Sequence, residues 1–466
     1  MPVNINSNSN INSIFNGLQN AFSNIGFMFN VLFIFLYEYI AFLYAGDYSI
    51  MIRNIATKLS DKNVLYVKVF QAISLNNNLI DDVINAELIK FTDAAPYTYD
   101  DIDEDLLHCV CRHFYLTSYT NIIPMKSGMI SLVYKMRTAE DEDVIIKMKR
   151  KNIDEKLDDA IEKLMFFINI LSLIPQFNIL DISNVVKKNI QLLRQQLNFD
   201  EEVKNTIEMA ENYKRLKYIK VPTVYQEATI KFNDVIMMEY IEGIHISKLN
   251  DDDYNEFAKL VMKYGFASII NNSSTHGDLH AGNIIFIKND DEGEVEEKTK
   301  TKTKPKYQLG LIDFGIVTRI NERTTKTFLE TVTRMFTDSG RVVAEIILDN
   351  IIEPTEVFKS IKLEHREKLY IEASKIIDET VHNSKDASQV KVYDFIKKFN
   401  QYINNNNLHR YGLYISDDFV KLQMALAMSQ GVSLCLCKND FIPFANTVLN
   451  EMFHIDLLQP LSESDE

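Results

Sequence analysis

Two short stretches hold side chains whose types and spacing fit one kind of chemistry. His276-Gly277-Asp278-Leu279-His280-Ala281-Gly282-Asn283 places a carboxylate five residues before an amide, and Leu311-Ile312-Asp313-Phe314-Gly315 supplies a second carboxylate. Phosphoryl transfer needs an acid that accepts or orients the proton of the attacking group. It also needs oxygen donors for the metal ions that neutralise the phosphates. Asp278 fits the first need, and Asn283 and Asp313 fit the second. An Asp-Phe-Gly alone can be a plain turn. Both stretches in this order, separated by the strand-like run Ile284 to Ile287 and a variable hairpin, make the turn the poorer reading.

Such a site needs a lysine for the phosphates, a loop to cover them and a linker to hold the base. Val144-Ile145-Ile146-Lys147-Met148-Lys149 is an apolar strand run that ends at Lys147, where a kinase-type site places its phosphate lysine. Lys135 and Lys149 are the solvent-facing alternatives. Ile130 to Met136 is the preceding strand candidate, and the acidic turn Ala139 to Asp143 joins the two. Lys126-Ser127-Gly128 stands before this pair, at the place of a phosphate-covering loop, although its single glycine makes a weak signal. The long amphipathic stretch Gln191 to Leu216 is expected as one helix. It offers Glu201, Glu202 and Glu208 as partners for the lysine, each of which would ordinarily be a solvated carboxylate. Val235 to Gly243 reads as a buried strand leaving into a linker, with Met238, Glu239 and Tyr240 placed to meet adenine. Asp251 to Asp253 are expected to cap a helix that carries Phe257, Leu260, Val261 and Tyr264 on one face and leads to Asp278.

The 466 residues suffice for two or three domains or for one large body with extensions, and 46% hydrophobic with 25% charged residues is an ordinary globular composition. A net charge of −15 argues against a nucleic-acid partner. Four cysteines, at 109, 111, 435 and 437, are expected as free thiols. His108 and His113 flank the first pair, but the spacing matches no common zinc pattern.

Residues 1–20, rich in Asn and Ser, are expected to be disordered or only partly ordered. No basic segment or small-residue cleavage site precedes the next run, which argues against a cleaved signal peptide. Ile25 to Ala45 is the strongest apolar run and is long enough to cross a bilayer. Asn30 and Glu38 inside it are costly in hydrocarbon, and its aromatic load equally suits a helix on a membrane surface or one packed on the protein. Asp61 to Thr92 is helical in pattern and carries Lys68 and Gln71. Ile161 to Ile174 is a buried helix, too short to span. Lys288 to Lys306 is a low-complexity hairpin tip. The chain beyond Thr324 is helical in pattern, with breaks near Pro354 and Asn404 to Asn407, and ends in an acidic tail.

Taken together, His276 to Asn283, Leu311 to Gly315, Met238 to Gly243 and the strand ending at Lys147 resemble the UbiB atypical kinase-like family, also called the ABC-one or ADCK group. Lys68-Val69-Phe70-Gln71 looks like its Lys-x-Gly-Gln signature with Phe in place of Gly. Pro124 to Tyr134 resembles its nucleotide loop and following strand, with Lys126-Ser127-Gly128-Met129 replacing the alanines. Ser429-Gln430-Gly431-Val432 resembles a motif of its C-terminal region. The family's Glu-x-Asp motif falls on Gln196-Leu197-Asn198, both acids replaced by amides, while Glu202 and Asn205 of the next turn are kept. The similarity covers roughly residues 60 to 450.

The resemblance implies an α+β, bilobal protein-kinase-like fold with an N-terminal helical extension. The expected layout is a disordered segment 1–20, an apolar helix 21–46 and the extension 47–115. A β-rich small lobe 116–243, a helical large lobe 244–455 with an exposed tip at 288–306, and a tail 456–466 follow. ATP and Mg²⁺ are the implied cofactors. Lys147 and Asp278 are the implied catalytic residues, and Asn283 and Asp313 the metal ligands. Lys126, Ser127, Gly128, Glu239, Tyr240, Lys68 and Gln71 complete the nucleotide site. The implied substrate is a small or lipid-linked molecule, with a link to isoprenoid quinone or membrane lipid metabolism, and the site is expected inside the cell with a membrane surface as a partner. Two rivals stand beside this reading. One is a small-molecule kinase of the aminoglycoside or choline type, which lacks the Lys68 and Gln71 helix. The other is a nucleotide-binding scaffold, a role favoured by the two amides.

Overall fold

The computed structural model describes residues 7–63, 66, 95–118, 123–171, 187, 190–191, 193–289, 305–335, 337–382, 398–399, 402, 412–437, 444, 447–448 and 451–452. Lys68, Gln71, Asn404 to Asn407, the tip at 290–304 and the tail at 456–466 lie outside these residues. The chain divides into two compact units, residues 1–203 with 224–240, and residues 204–223 with 241–466.

The first unit is built on an antiparallel sheet. Strand Ser131–Arg137 pairs with Asp143–Lys149, which pairs with Val235–Glu239, while the short strands Thr117–Ser118 and Lys126–Ser127 both pair with Ser131–Arg137. Alternation sets its faces: Leu132, Tyr134 and Met136 point with Val144, Ile146 and Met148 into a core closed by Leu107 and Val110 of helix Glu104–His113. A second core joins three helices. Val31 and Ile34 of helix Ser7–Ala45 meet Ile55 and Leu59 of Tyr48–Ser60, and Leu157 and Leu164 of Ile153–Leu171.

The N-terminal segment departs from expectation. Residues 7–20 are helical and continuous with the apolar run. Ile11, Ile14, Phe15 and Leu18 recur at helical spacing among the Asn and Ser residues, so the segment extends a helix that tertiary packing already holds. The stretch expected as one helix from 191 to 216 is also broken. Helix Phe199–Asn212 begins afresh after Asn198, whose side-chain oxygen accepts from the Glu201 N–H at 3.2 Å and acts as an N-cap.

The second unit centres on helix Tyr254–Asn272. One face buries Phe257, Val261 and Tyr264 against the hairpin of strands Ile284–Lys288 and Tyr307–Leu311. The other carries Met262, Phe266 and Ile269 towards Leu422, Ala425 and Leu426 of helix Asp417–Leu436. Gly265 is needed at that crossing: a Cβ there would lie 2.7 Å from Ser429 Cβ, and Ser433 Oγ reaches Ala258 O at 2.9 Å. The Ser429 to Val432 motif is thus a helix-packing element. Asp253 does not cap the helix with its side chain as expected. Its carboxylate is taken by Lys288 Nζ at 2.9 Å and Tyr307 OH at 2.8 Å, which tie the helix start to the hairpin. Helices Glu322–Arg334, Gly340–Ile351 and Leu363–Ile377 complete the unit around a core of Val343, Ile347, Phe358 and Ala373.

Candidate phosphoryl-transfer site

In the first unit, Lys147 sits in the middle of the sheet, opposite Val133 on one side and Ile236 on the other. Its Nζ lies 2.6 Å from Glu202 Oε1, and both side chains are buried. Of the three carboxylates that the sequence offered, the pairing falls on Glu202. Glu201 is exposed, and Glu208 pairs with Arg319. The alternative lysines are engaged elsewhere. Lys135 Nζ contacts Asp143 at 2.7 Å and lies over the Tyr240 ring, and Lys149 Nζ contacts Asp234 at 2.8 Å. Glu239 ends strand Val235–Glu239, and both it and Tyr240 are half-buried.

Lys126 and Ser127 form a strand whose turn closes with Gly128 N–H donating to Ser131 O at 2.9 Å. The Ser127 hydroxyl is buried and turned inward, donating to Ala95 O at 2.8 Å. Arg150 holds this turn, a role that the sequence did not suggest. Its Nε and Nη2 donate to Gly128 O at 3.0 and 2.7 Å, Nη2 also reaches Ser127 Oγ at 2.9 Å, and Nη1 donates to Pro96 O at 2.9 Å and Asp101 Oδ2 at 3.1 Å. Burial works against the Asp101 carboxylate. Hydrogen bonds from Lys156 and Thr98 and the Arg150 charge outweigh it and hold its pKa below the usual 3.8. The only sequence signal was a third basic residue closing the lysine strand, which by itself looks like surface.

In the second unit, strand Ser274–His276 delivers the chain to Asp278, and its antiparallel partner Val317–Arg319 leads away from Asp313 to Gly315. Gly277 lies where this pair comes closest: a Cβ would meet Ile316 Cγ2 at 2.5 Å and Ile316 O at 3.1 Å. His276 braces both loops. Its Nδ1 accepts from Asp278 N–H at 3.1 Å, and its Nε2 contacts Ile312 O at 2.9 Å, which makes Nε2 the protonated nitrogen. Burial lowers its pKa from 6.5, against the pull of Ile312 O, Asp278 and Asp313. The ring therefore stays neutral and keeps this pattern.

Asn283 Nδ2 donates to Asp278 O at 3.0 Å, which fixes the amide and leaves Oδ1 as its acceptor face. Asn283 O in turn accepts from Ile312 N–H at 3.1 Å, so Asn283 and Asp313 stand at the same end of the hairpin. Asp313 has φ 64°, a left-handed conformation that Asp tolerates at a cost of about 1 kcal/mol. The donor set is one carboxylate, Asp313, and one amide oxygen, that of Asn283, both hard oxygen ligands. It fits Mg²⁺, which typically takes one or two protein carboxylates with substrate phosphates. Among the described residues no three His, Cys, Asp or Glu side chains cluster in a way that could hold a metal ion.

A model of the ABC1 atypical kinase-like domain matches residues 92–347. A mitochondrial ABC1 family protein of Schizosaccharomyces pombe is 23% identical over 279 residues, covering 51% of this chain and 40% of that protein. The protein described as probable protein kinase UbiB of Shewanella woodyi is 23% identical over 296 residues, covering 61% and 51%. Its counterpart in Actinobacillus pleuropneumoniae is 30% identical over 212 residues, covering 44% and 36%. The chain thus spans about half or less of the length of these relatives. Among solved structures, the Rv3197–erythromycin complex from Mycobacterium tuberculosis matches with TM-score 0.47 at 15% identity, covering 77% of this chain and 85% of that one. The family model spans more than half of the chain, and the chain belongs to the ABC1 (UbiB) atypical kinase-like family, with its α+β kinase-like fold.

Proposed function

We propose that this protein binds ATP with Mg²⁺ and acts as an ATPase or phosphotransferase on a small or lipid-linked molecule. The observation that carries the reading is the buried Lys147–Glu202 pair at 2.6 Å, the ion pair that a kinase-type site must form to present its lysine to the phosphates. Lys147 would contact the α and β phosphates, and the turn Lys126 to Gly128 would cover them. Glu239 and Tyr240 would meet adenine, and Lys68 and Gln71 would bear on the nucleotide. Asn283 and Asp313 would hold Mg²⁺, which supplies charge neutralisation at the phosphates. Asp278 would orient the attacking group and take its proton, its loop held by the neutral His276. Catalysis of this kind is positioning and electrostatics, with no covalent intermediate on the protein.

The Asn198 cap favours a second reading. One of the two amides at the family's acidic motif serves helix geometry, so a nucleotide-binding scaffold with little turnover is the alternative. One experiment separates the two. The melting temperature is measured with ATP, with and without Mg²⁺, for the wild type and Asp313→Asn, followed by phosphate release with and without liposomes. Mg²⁺-dependent stabilisation that Asp313→Asn removes, together with phosphate release, supports the enzyme. Stabilisation without release supports the scaffold. Equal stabilisation of wild type and variant would remove Asp313 from the metal site.

We further propose that the helix Ser7–Ala45 holds the protein at a membrane surface. Its segment Phe22–Ala45 has mean hydropathy 1.8 and is only 17% buried. The mitochondrial description of the fission-yeast relative is compatible with a membrane-rich setting.

A further inference from the structure

Behind the Asp-Phe-Gly turn runs a chain of polar contacts to the surface of the second unit. Asn205, 3% exposed, donates from Nδ2 to Phe314 O at 3.0 Å. Its Oδ1 accepts from Arg319 Nη2 at 2.9 Å, and the same Nη2 lies 2.6 Å from Glu208 Oε2. Asn205 and Glu208 are one turn apart on helix Phe199–Asn212. Arg319 ends the strand that leaves the turn and pairs with Ser274, so the turn is gripped from its backbone and from its outgoing strand.

We propose that Asn205 and Arg319 are positioning residues that set the metal affinity of Asp313. The inference rests on the Mg²⁺ reading above. Asp313 occupies the left-handed region, and its Oδ1 lies 3.4 Å from Gly315 N–H. A strained backbone persists where its surroundings over-determine it. The Phe314 carbonyl follows one residue along the chain, and Asn205 anchors it. Arg319 orients the Asn205 amide so that its NH₂ faces that carbonyl, because a guanidinium can meet only the oxygen end. Glu208 in turn aims the guanidinium. Without Arg319 the amide is free to rotate, its oxygen turns towards the Phe314 oxygen, and the metal carboxylate loses its fixed direction. Residues that orient a metal ligand typically account for 10- to 100-fold in metal affinity.

The test uses the full chain and two readouts besides turnover. Mg²⁺ is titrated at fixed ATP by melting temperature, and Mn²⁺ binding with ATP is followed by electron paramagnetic resonance. Arg319→Met should raise the half-saturating metal concentration about tenfold. The metal-free melting temperature and the stabilisation by ATP in EDTA should stay at wild-type values. Arg319→Lys, which keeps a cationic donor, should recover part of the shift, and Asn205→Ala should match or exceed Arg319→Met. If Asn205→Ala fails to fold, the Arg319 pair decides the matter. An Arg319→Met variant with wild-type metal dependence, while Asp313→Asn loses it, overturns the relay and leaves the metal site standing. An Asp313→Asn variant with wild-type metal dependence overturns both.

Discussion

At the scale of single residues, the Lys147–Glu202 pair is where function and stability meet. Both groups are buried, so removing one partner leaves an uncompensated charge in a poorly solvated place. Glu202→Ala should therefore destabilise the fold by about 3 kcal/mol, whereas the double variant Lys147→Met, Glu202→Leu should cost less, because no charge is stranded. Urea unfolding of the two single variants and the double closes the cycle. All three should lose nucleotide-dependent stabilisation, and additive costs in the double variant would show that the pair is not coupled. His276 gives a second prediction. Its folded pKa lies below 6.5, so the unfolded chain binds the proton more readily. Stability from this residue is complete above 6.5 and falls as the pH drops towards the folded value. The unfolding midpoint of the nucleotide-free protein should decline below that pH, and His276→Asn should flatten this part of the profile. An identical profile in the variant would assign the decline to other groups.

At the scale of elements, the crossing of helices Tyr254–Asn272 and Asp417–Leu436 has no slack. Gly265→Ala drives a methyl against Ser429 Cβ and should cost about 1–3 kcal/mol in thermal unfolding. Ser429→Gly in the same chain should return most of it, and a double variant no better than the single would mean the strain lies elsewhere. This crossing also marks what the sequence could reveal. The strands of the first unit, the hairpin and the helix leading to Asp278 were legible, because alternation and helical spacing are local signals. Lys147 was legible because it interrupts an apolar run. Its partner was not, since Glu201, Glu202 and Glu208 are equivalent until the break at Asn198 sets the phase of the new helix. Arg150 and Arg319 act through contacts distant along the chain, and no periodicity reports those. At residues 7–20 the helix was missed because composition outweighed the spacing of Ile11, Ile14, Phe15 and Leu18.

At the scale of the molecule, the helix Ser7–Ala45 decides how the protein meets a membrane. Its two faces differ. Val31 and Ile34 are buried in the first unit, and so is Glu38, whose carboxylate takes Lys58 Nζ at 2.5 Å and Asn54 Nδ2 at 3.0 Å. Asn24, on the same side, donates to Glu162 at 3.1 Å. On the outside, Phe29, Phe33, Leu36, Ile40 and Leu43 are 46% to 66% exposed. A helix crossing the bilayer would leave Glu38 in hydrocarbon or carry Lys58 in with it, and either is costly. A helix lying in the interface keeps that pair on the protein side and sinks only the outer face among the lipids. The interfacial geometry is therefore the expected one. Replacing Phe29, Phe33, Leu36 and Ile40 together by Ser removes apolar area worth about 1 kcal/mol or more per side chain on insertion, and binding to liposomes should fall by at least about a hundredfold. The melting temperature should hold, because the buried face is untouched. In flotation the wild type should leave the vesicles at carbonate pH, as a peripheral protein does. Retention there would mean that the helix crosses the bilayer, and equal binding of the Ser variant would mean that this face does not meet lipid.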